Sequence, residues 1–521
     1  MLCMAFFMLC KSQSATRRLG VRAVSIKHDN TNARAMLALL ARCHSARAVA
    51  DSSTVAVGVS AFAVGFGMCL VSARRLAKTD EQTDFERLVR QTKVNNATFP
   101  GTRGSLAFKG RTHWPALNRG LEIFEDKSGQ SSEALLSRII SHASLPTDLP
   151  VLAIAQDGHG ASVEIEAGTV RNVLCHAMLC NGYDAVGAGI HGNLSSKHHS
   201  RCASDDFTRG GGLVFDEWLS ASGSLAAEKA ACMLFYLDAA TRPGFDEARK
   251  IRYSLQNTPE PFQGPLNWPN VSIHTGSMWH HEEDTAFVNF GNAHFLFGKV
   301  APSNGGVSVE EFLQMEFPEL AVGMLYFGYL HDNEAVIVDG IHKYSNHKGY
   351  MKNFACDGAC TDKRIFKVVT MDAKNYNSEL LRSQDDPEFD ENVSYAQQFT
   401  CPHVMRDVAK ARAAFQGLDR VSTGMWGCGQ FKGNVYLKFL EQLVAASQTG
   451  VKELSFSAFA APKVAENCEW LLAELNRFKR TPEQVLAFLR HDTSGIDSDD
   501  AFLNRLRKQL LAQAQTQVGG A

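Results

Sequence analysis

Short apolar runs, each bounded by charged or turn-forming residues, recur through the second half of this chain and constrain its fold more than any other feature. Val271-Ser-Ile-His274, Ala286-Phe-Val-Asn-Phe290, Ala335-Val-Ile-Val338, Phe366-Lys-Val-Val-Thr370 and Leu454-Ser-Phe-Ser457 have strand length and strand composition. Between them, apolar residues fall at helical spacing over Val309–Phe327, Cys401–Phe415 and Val435–Ser447. Strands alternating with helices predict an α/β fold, a mixed or parallel sheet with helices on both faces.

Upstream the pattern differs. From Ser131 to Phe235 the spacing is mostly helical, with Ala134, Leu135, Leu136, Ile139 and Ile140 on one stripe and Val170, Val173, Leu174, Met178 and Leu179 on another. A Gly-, His- and Ser-rich stretch over 187–212, ending in Gly210–Gly212, reads as a loop. Downstream, Thr481-Pro482-Glu483-Gln484 is a helix start with a capping Thr and Pro at the first helical position.

The first fifty residues carry Lys11, Arg17, Arg18, Arg22, Lys27, Arg34, Arg42 and Arg47 against one acid, Asp29. Such a start resembles an organellar transit peptide, mitochondrial or other, with a nucleo-cytoplasmic protein as the alternative. Residues 52–73 hold no charge and are long enough for a weak membrane span, the alternative being a hydrophobic part of the targeting segment. The expected organisation is therefore 1–50 targeting, 52–73 a candidate span with possible membrane contact excepted from the fold, 79–130 linker, 131–260 a helical accessory domain, 261–465 the α/β domain and 466–521 C-terminal helices.

Lys and Arg total 53 against 55 for Asp and Glu, so no global basic field draws the protein to DNA. An anionic ligand needs a local device instead, and Gly424-Met-Trp-Gly-Cys-Gly-Gln-Phe-Lys-Gly433 offers one. It sits between a strand ending near Ser422 and a helix starting near Asn434, where glycines let backbone amides approach a phosphate and a helix N-terminus adds its dipole. The same turn could equally be a tight connection. The pair Glu310-Glu311 can supply an acid for glycoside cleavage, although surface Glu-Glu pairs are common, and Glu282-Glu283-Asp284 reads as a solvated turn. Tyr344, His347 and Tyr350 offer flat faces with polar tips, or simply an exposed aromatic loop. The thirteen cysteines are scattered, and neither Cys175/Cys180 nor Cys356/Cys360 has a second pair at zinc-ribbon spacing. No structural metal is expected, and reduced intracellular thiols are the reading.

Taken in order, these stretches resemble the poly(ADP-ribose) glycohydrolase family. Asn289-Phe-Gly-Asn292 is similar to the family's Asp-Phe-Ala-Asn, and Val309-Glu310-Glu311 to its Gln-Glu-Glu. Phe317-Pro-Glu-Leu320, Tyr344-Ser345, Gly349-Tyr350 and Ser422-Thr-Gly-Met-Trp-Gly-Cys-Gly-Gln-Phe431 follow at the family's order and approximate spacing, and Val173–Cys180 resembles a helix of its accessory domain. The resemblance covers about 140–460. It implies a macrodomain-like mixed sheet with an N-terminal helical accessory domain and no metal or redox cofactor, acting on poly(ADP-ribose) and poly(ADP-ribosyl)ated proteins by cleaving ribose–ribose bonds. By position, Glu311 is the acid, Glu310 holds ribose hydroxyls, and Asn289 stands at the third catalytic position in place of the family's acid. Asn292, Val309, Tyr350 and His347 would contact substrate, as would Met425, Gly427, Cys428, Gly429 and Phe431. Val309, Met425 and His347 replace a glutamine, an asparagine and a tyrosine, and Leu296-Phe297-Gly298 stands where the family has a triple glycine. A catalytically impaired macrodomain that only binds ADP-ribose is the alternative, and a helical scaffold anchored by its N-terminus is a more distant one.

Overall fold

The computed structural model describes residues 102–103, 114–143, 149–154, 160–179, 182–183, 213, 215–219, 221–259, 266–278, 284–293, 295, 306–328, 330–377, 394–491 and 496–518. The targeting segment, the stretch 52–73, the glycine-rich loop at 187–212, and Leu296-Phe297-Gly298 lie outside them. No helix among the described residues is long and apolar enough to cross a membrane.

The elements in chain order are β1 (Thr102–Arg103), α1 (Pro115–Ser128), α2 (Ser132–Ala143), β2 (Ala153–Ile154), β3 (Gly160–Glu166), α3 (Ala167–Met178), β4 (Gly182–Tyr183), α4 (Asp216–Leu219), α5 (Ser224–Ala240), β5 (Lys250–Asn257), β6 (Asn270–His274) and β7 (Thr285–Gly291). Then come α6 (Val309–Glu316), a 3-10 helix (Pro318–Leu325), β8 (Glu334–Ile341), β9 (Ser345–Lys348), β10 (Ala355–Ala359), β11 (Phe366–Asp372), a 3-10 turn (Tyr395–Phe399), α7 (Cys401–Phe415), β12 (Arg420–Gly424), α8 (Val435–Thr449), β13 (Glu453–Ser457), α9 (Pro462–Arg477), α10 (Pro482–Arg490) and α11 (Asp499–Val518).

Nine strands form one sheet in the order β2-β3-β5-β8-β11-β7-β12-β13-β6. The half from β2 to β11 is antiparallel, and β11, β7, β12, β13 and β6 run parallel. The parallel strands read as apolar runs because helices cover both faces. One face packs Ala286, Val288, Val369, Met371, Val421, Leu454 and Phe456 against α7 and α8. The other meets α6 and the 3-10 helix, and α5 packs in turn on α6.

Three expectations are corrected here. The linker expected over 79–130 ends in α1, which starts at Pro115 and buries Leu117, Leu121 and Phe124. The boundary at 260 does not separate a purely helical domain, because β3 pairs with β5 and β5 with β8 in the same sheet. The apolar stripe read as one helix over Val309–Phe327 breaks after Glu316. Pro318 lacks an amide hydrogen and disfavours a helical residue before it, and Phe317 is held at φ −122°, ψ 66°. That break places Glu316 at the end of α6.

Candidate active site

A cleft of about 1230 Å³ opens at the carboxyl ends of the parallel strands, the end where open α/β sheets place their ligands. Gly291 and Asn292 enter it from the end of β7, Ala373 from just beyond β11, Met425 and residues 427–431 from beyond β12, and Ser457 and Phe459 from the end of β13. The first turn of α6 and the segment 346–350 complete the walls. The volume exceeds the roughly 300–1,000 Å³ common for small-ligand pockets, so a dinucleotide-sized molecule fits.

Both glutamates line this cleft, but they are held differently. Glu310 is buried, and its Oε2 accepts from the Asn292 amide at 3.2 Å, which ties α6 to the end of β7. Glu311 occupies the third position of α6 and forms a capping box with Ser308. The Ser308 amide donates to Glu311 Oε2 at 2.7 Å, and Ser308 Oγ donates to the same oxygen. Oε1 makes no hydrogen bond among the described residues, so one carboxyl oxygen is anchored and the other faces the cleft. The Ser-x-x-Glu spacing of Ser308 and Glu311 was a legible signal that explains the first glutamate turn without any function. Behind them Lys229 of α5 is buried; burial lowers its pKa, and the Glu311 carboxylate opposes the shift.

Across the cleft runs the loop 424–433. Gly427 sits at φ 71°, and a Cβ there would stand 2.6 Å from that of Ala373, so only glycine fits. The Cys428 amide turns inward to Met425 O at 3.1 Å, and the Gly433 amide to Gly427 O at 2.8 Å. The amides of Gly427, Gly429 and Gln430 make no hydrogen bond among the described residues and are the ones available to an anion. The start of α8 is a different matter. Asn434 is fully buried and caps it by accepting from the Leu437 amide at 2.9 Å, and neither residue lines the cleft. The helix end expected to add amides is therefore already capped, which leaves the loop's own unbonded amides on this side of the cleft. The Cys428 thiol donates to Trp426 O, and burial pushes its pKa up, which makes it a poor nucleophile.

The third wall is the segment from Lys343 to Tyr350. It contains the strand β9, where the sequence left an exposed loop open. Tyr350 is 45% exposed, and burial against the wall followed by the nearby Glu311 carboxylate pushes its phenol above the ordinary value. His347 is stacked between Phe312, with centroids 4.4 Å apart, and Phe354 at 5.4 Å. Its Nδ1 lies 2.8 Å from Oε1 of Glu316, which also takes Lys343 Nζ at 3.1 Å. Neither Glu316 nor Lys343 stood out in the sequence.

Eleven of the twelve residues expected at the site line this one cleft: Glu310, Glu311, Asn292, Val309, His347, Tyr350, Met425, Gly427, Cys428, Gly429 and Phe431. Asn289 does not. It is fully buried, pairs in register with Thr370 of β11, and donates to Thr370 Oγ1 at 3.2 Å. It shares a face of β7 with Gly291 but lies one pleat, about 7 Å, deeper. Among the described residues no group of three His, Cys, Asp or Glu could hold a metal ion.

A mixed sheet flanked by helices, with its cleft at the carboxyl end of the parallel strands, places the chain among macrodomain-type folds. Residues 262–466 match the family model described as poly(ADP-ribose) glycohydrolase (PARG), macro domain fold. Over those residues the chain is similar to that family, at low identity to its curated relatives. Poly(ADP-ribose) glycohydrolase 1 of Caenorhabditis elegans is 26% identical over 37% of this chain and 26% of its own length. Poly(ADP-ribose) glycohydrolase 2 of the same organism is 29% identical over 36% of this chain and 41% of its own. The match thus spans less than half of either relative. A crystal structure of poly(ADP-ribose) glycohydrolase from Deinococcus radiodurans in complex with ADP-ribose shares 17% identity, covering 41% of this chain and 86% of that one, with a TM-score of 0.26.

Proposed function

We propose that this chain is a poly(ADP-ribose) glycohydrolase that cleaves ribose–ribose O-glycosidic bonds and releases ADP-ribose. The observation that carries the reading is the juxtaposition of Glu311, with one anchored and one open carboxyl oxygen, and the unbonded amides of Gly427, Gly429 and Gln430 on the same cleft. The amides and the close approach allowed by Gly427 suit a diphosphate, which delivers the adjoining ribose to the glutamates. Protonated on Oε1, Glu311 gives its proton to the departing ribose oxygen as the anomeric C–O bond breaks. The carboxylate then takes a proton from the water that adds to the oxocarbenium-like carbon. Glu310 holds a ribose hydroxyl, Asn292 orients the ribose, and Tyr350 and Phe431 flank the nucleoside. Similarity of residues 262–466 to the glycohydrolase family supports the substrate class.

The test is incubation of the full chain with poly(ADP-ribosyl)ated protein. ADP-ribose release that disappears in Glu311→Ala is the expected result. Binding of ADP-ribose with no release by the parent protein would replace this reading with that of a binding macrodomain.

A further inference from the structure

The cleft contains a carboxylate that neither the glutamate pair nor the amide loop uses. Glu316 closes α6 with a side chain only 1% exposed. Its Oε1 receives Lys343 Nζ at 3.1 Å and His347 Nδ1 at 2.8 Å, while its Oε2 is buried with no hydrogen-bond partner. A buried carboxylate with one oxygen unsatisfied is unfavourable for folding, and such groups are retained where they serve a site.

We infer that Glu316 is a positioning residue that presents His347 to the substrate, and that His347 Nε2 binds a ribose hydroxyl of the ADP-ribose unit. This rests on the proposed function above. A carboxylate oxygen accepts, so Nδ1 carries its hydrogen toward Glu316, and Nε2 makes no hydrogen bond among the described residues. The flanking rings of Phe312 and Phe354 fix the imidazole plane, and the carboxylate fixes which edge turns to the cleft. This is the arrangement by which a carboxylate selects a histidine tautomer in catalytic and metal sites. A hydroxyl can donate to the bare Nε2 of a neutral ring or accept from a protonated one, so it suits either state. A phosphate oxygen suits only the protonated ring.

The test uses the full chain in a double-mutant cycle read by ADP-ribose affinity, with the histidine tautomer followed by nitrogen NMR. His347→Phe keeps the three-ring stack and removes both nitrogens; it should weaken binding about tenfold, the effect of one well-placed hydrogen bond. Glu316→Gln keeps size and an acceptor but loses the charge. It should weaken binding by about three- to tenfold and raise the Nε2–H tautomer at the expense of Nδ1–H. In the His347→Phe background Glu316→Gln should have no further effect on affinity. Should that variant fail to fold, His347→Gln takes its place in the cycle. Additive losses, or an unchanged tautomer in Glu316→Gln, would overturn the assignment. Parent protein that binds ADP-ribose with an affinity His347→Phe leaves unchanged sinks this inference alone. Parent protein that does not bind ADP-ribose sinks the functional reading and this one with it.

Discussion

Replacing Glu311 by alanine removes two things, and only one is chemistry. The side chain completes the capping box of α6 through the Ser308 amide, 2.7 Å from Oε2. Loss of such a cap costs about 1 kcal/mol, which for a folded unit of this size lowers Tm by no more than about 2 °C. Glutamine is the informative substitution, because Glu and Gln serve a capping box alike. Glu311→Gln keeps an acceptor for the Ser308 amide and should melt within about 1 °C of the parent. It cannot supply or take a proton at Oε1, so release of ADP-ribose should fall on the order of a hundred- to ten-thousandfold. ADP-ribose affinity should change little, since the amide loop and the aromatic wall are untouched. The assay is turnover on poly(ADP-ribosyl)ated protein alongside thermal melts of Glu311→Gln and Glu311→Ala. Activity within tenfold of the parent in the glutamine variant refutes Glu311 as the acid. A collapse of stability in both variants refutes the claim that the cap contributes only about 1 kcal/mol.

Gly427→Ala forces a Cβ to 2.6 Å from that of Ala373 at a left-handed φ, and calorimetry should show at least a tenfold loss of ADP-ribose affinity as the loop shifts. Lys438, fully buried beneath the loop, bonds Asp407 and Glu441 and lies 4.7 Å from the Trp426 ring. Lys438→Met leaves buried Asp407 short of a counter-charge and should destabilise by about 3–5 kcal/mol in denaturant titrations. Burial holds the Glu441 pKa well above the ordinary carboxylate value, with Lys438 opposing, so Glu441→Gln should cost far less. His142 and His403 are both held below 6.5, first by burial. The unfolded chain takes up protons first as pH falls, so stability is unaffected above 6.5, drops between that value and the folded pKa, and levels off below it. His403→Gln should flatten part of that slope in Tm measured against pH.

The sequence by itself determined the elements whose cause is local. Ala335–Val338 and Phe366–Thr370 form strands because short apolar runs suit a sheet covered on both faces, and Thr481 caps α10 as its spacing requires. Order along the chain also brought eleven of the expected residues to one cleft, since strand ends, the loop 424–433 and the first turn of α6 are placed by their own elements. What depended on distant partners was not legible. Asn289 has the right neighbours in sequence, yet its pairing with Thr370, 81 residues on, buries it. Nothing near Glu316 signals Lys343 or His347, because the contact exists only once α6 ends at Glu316, ahead of Pro318, and β9 folds against it. The backbone amide of Asn434, whose side chain caps α8 locally, is likewise taken up by the Gln398 side chain from 36 residues away. Local hydrogen bonding and periodicity write the elements into the chain. Which polar atoms end up satisfied, buried or open to the cleft is decided by long-range packing, which no single stretch of sequence contains.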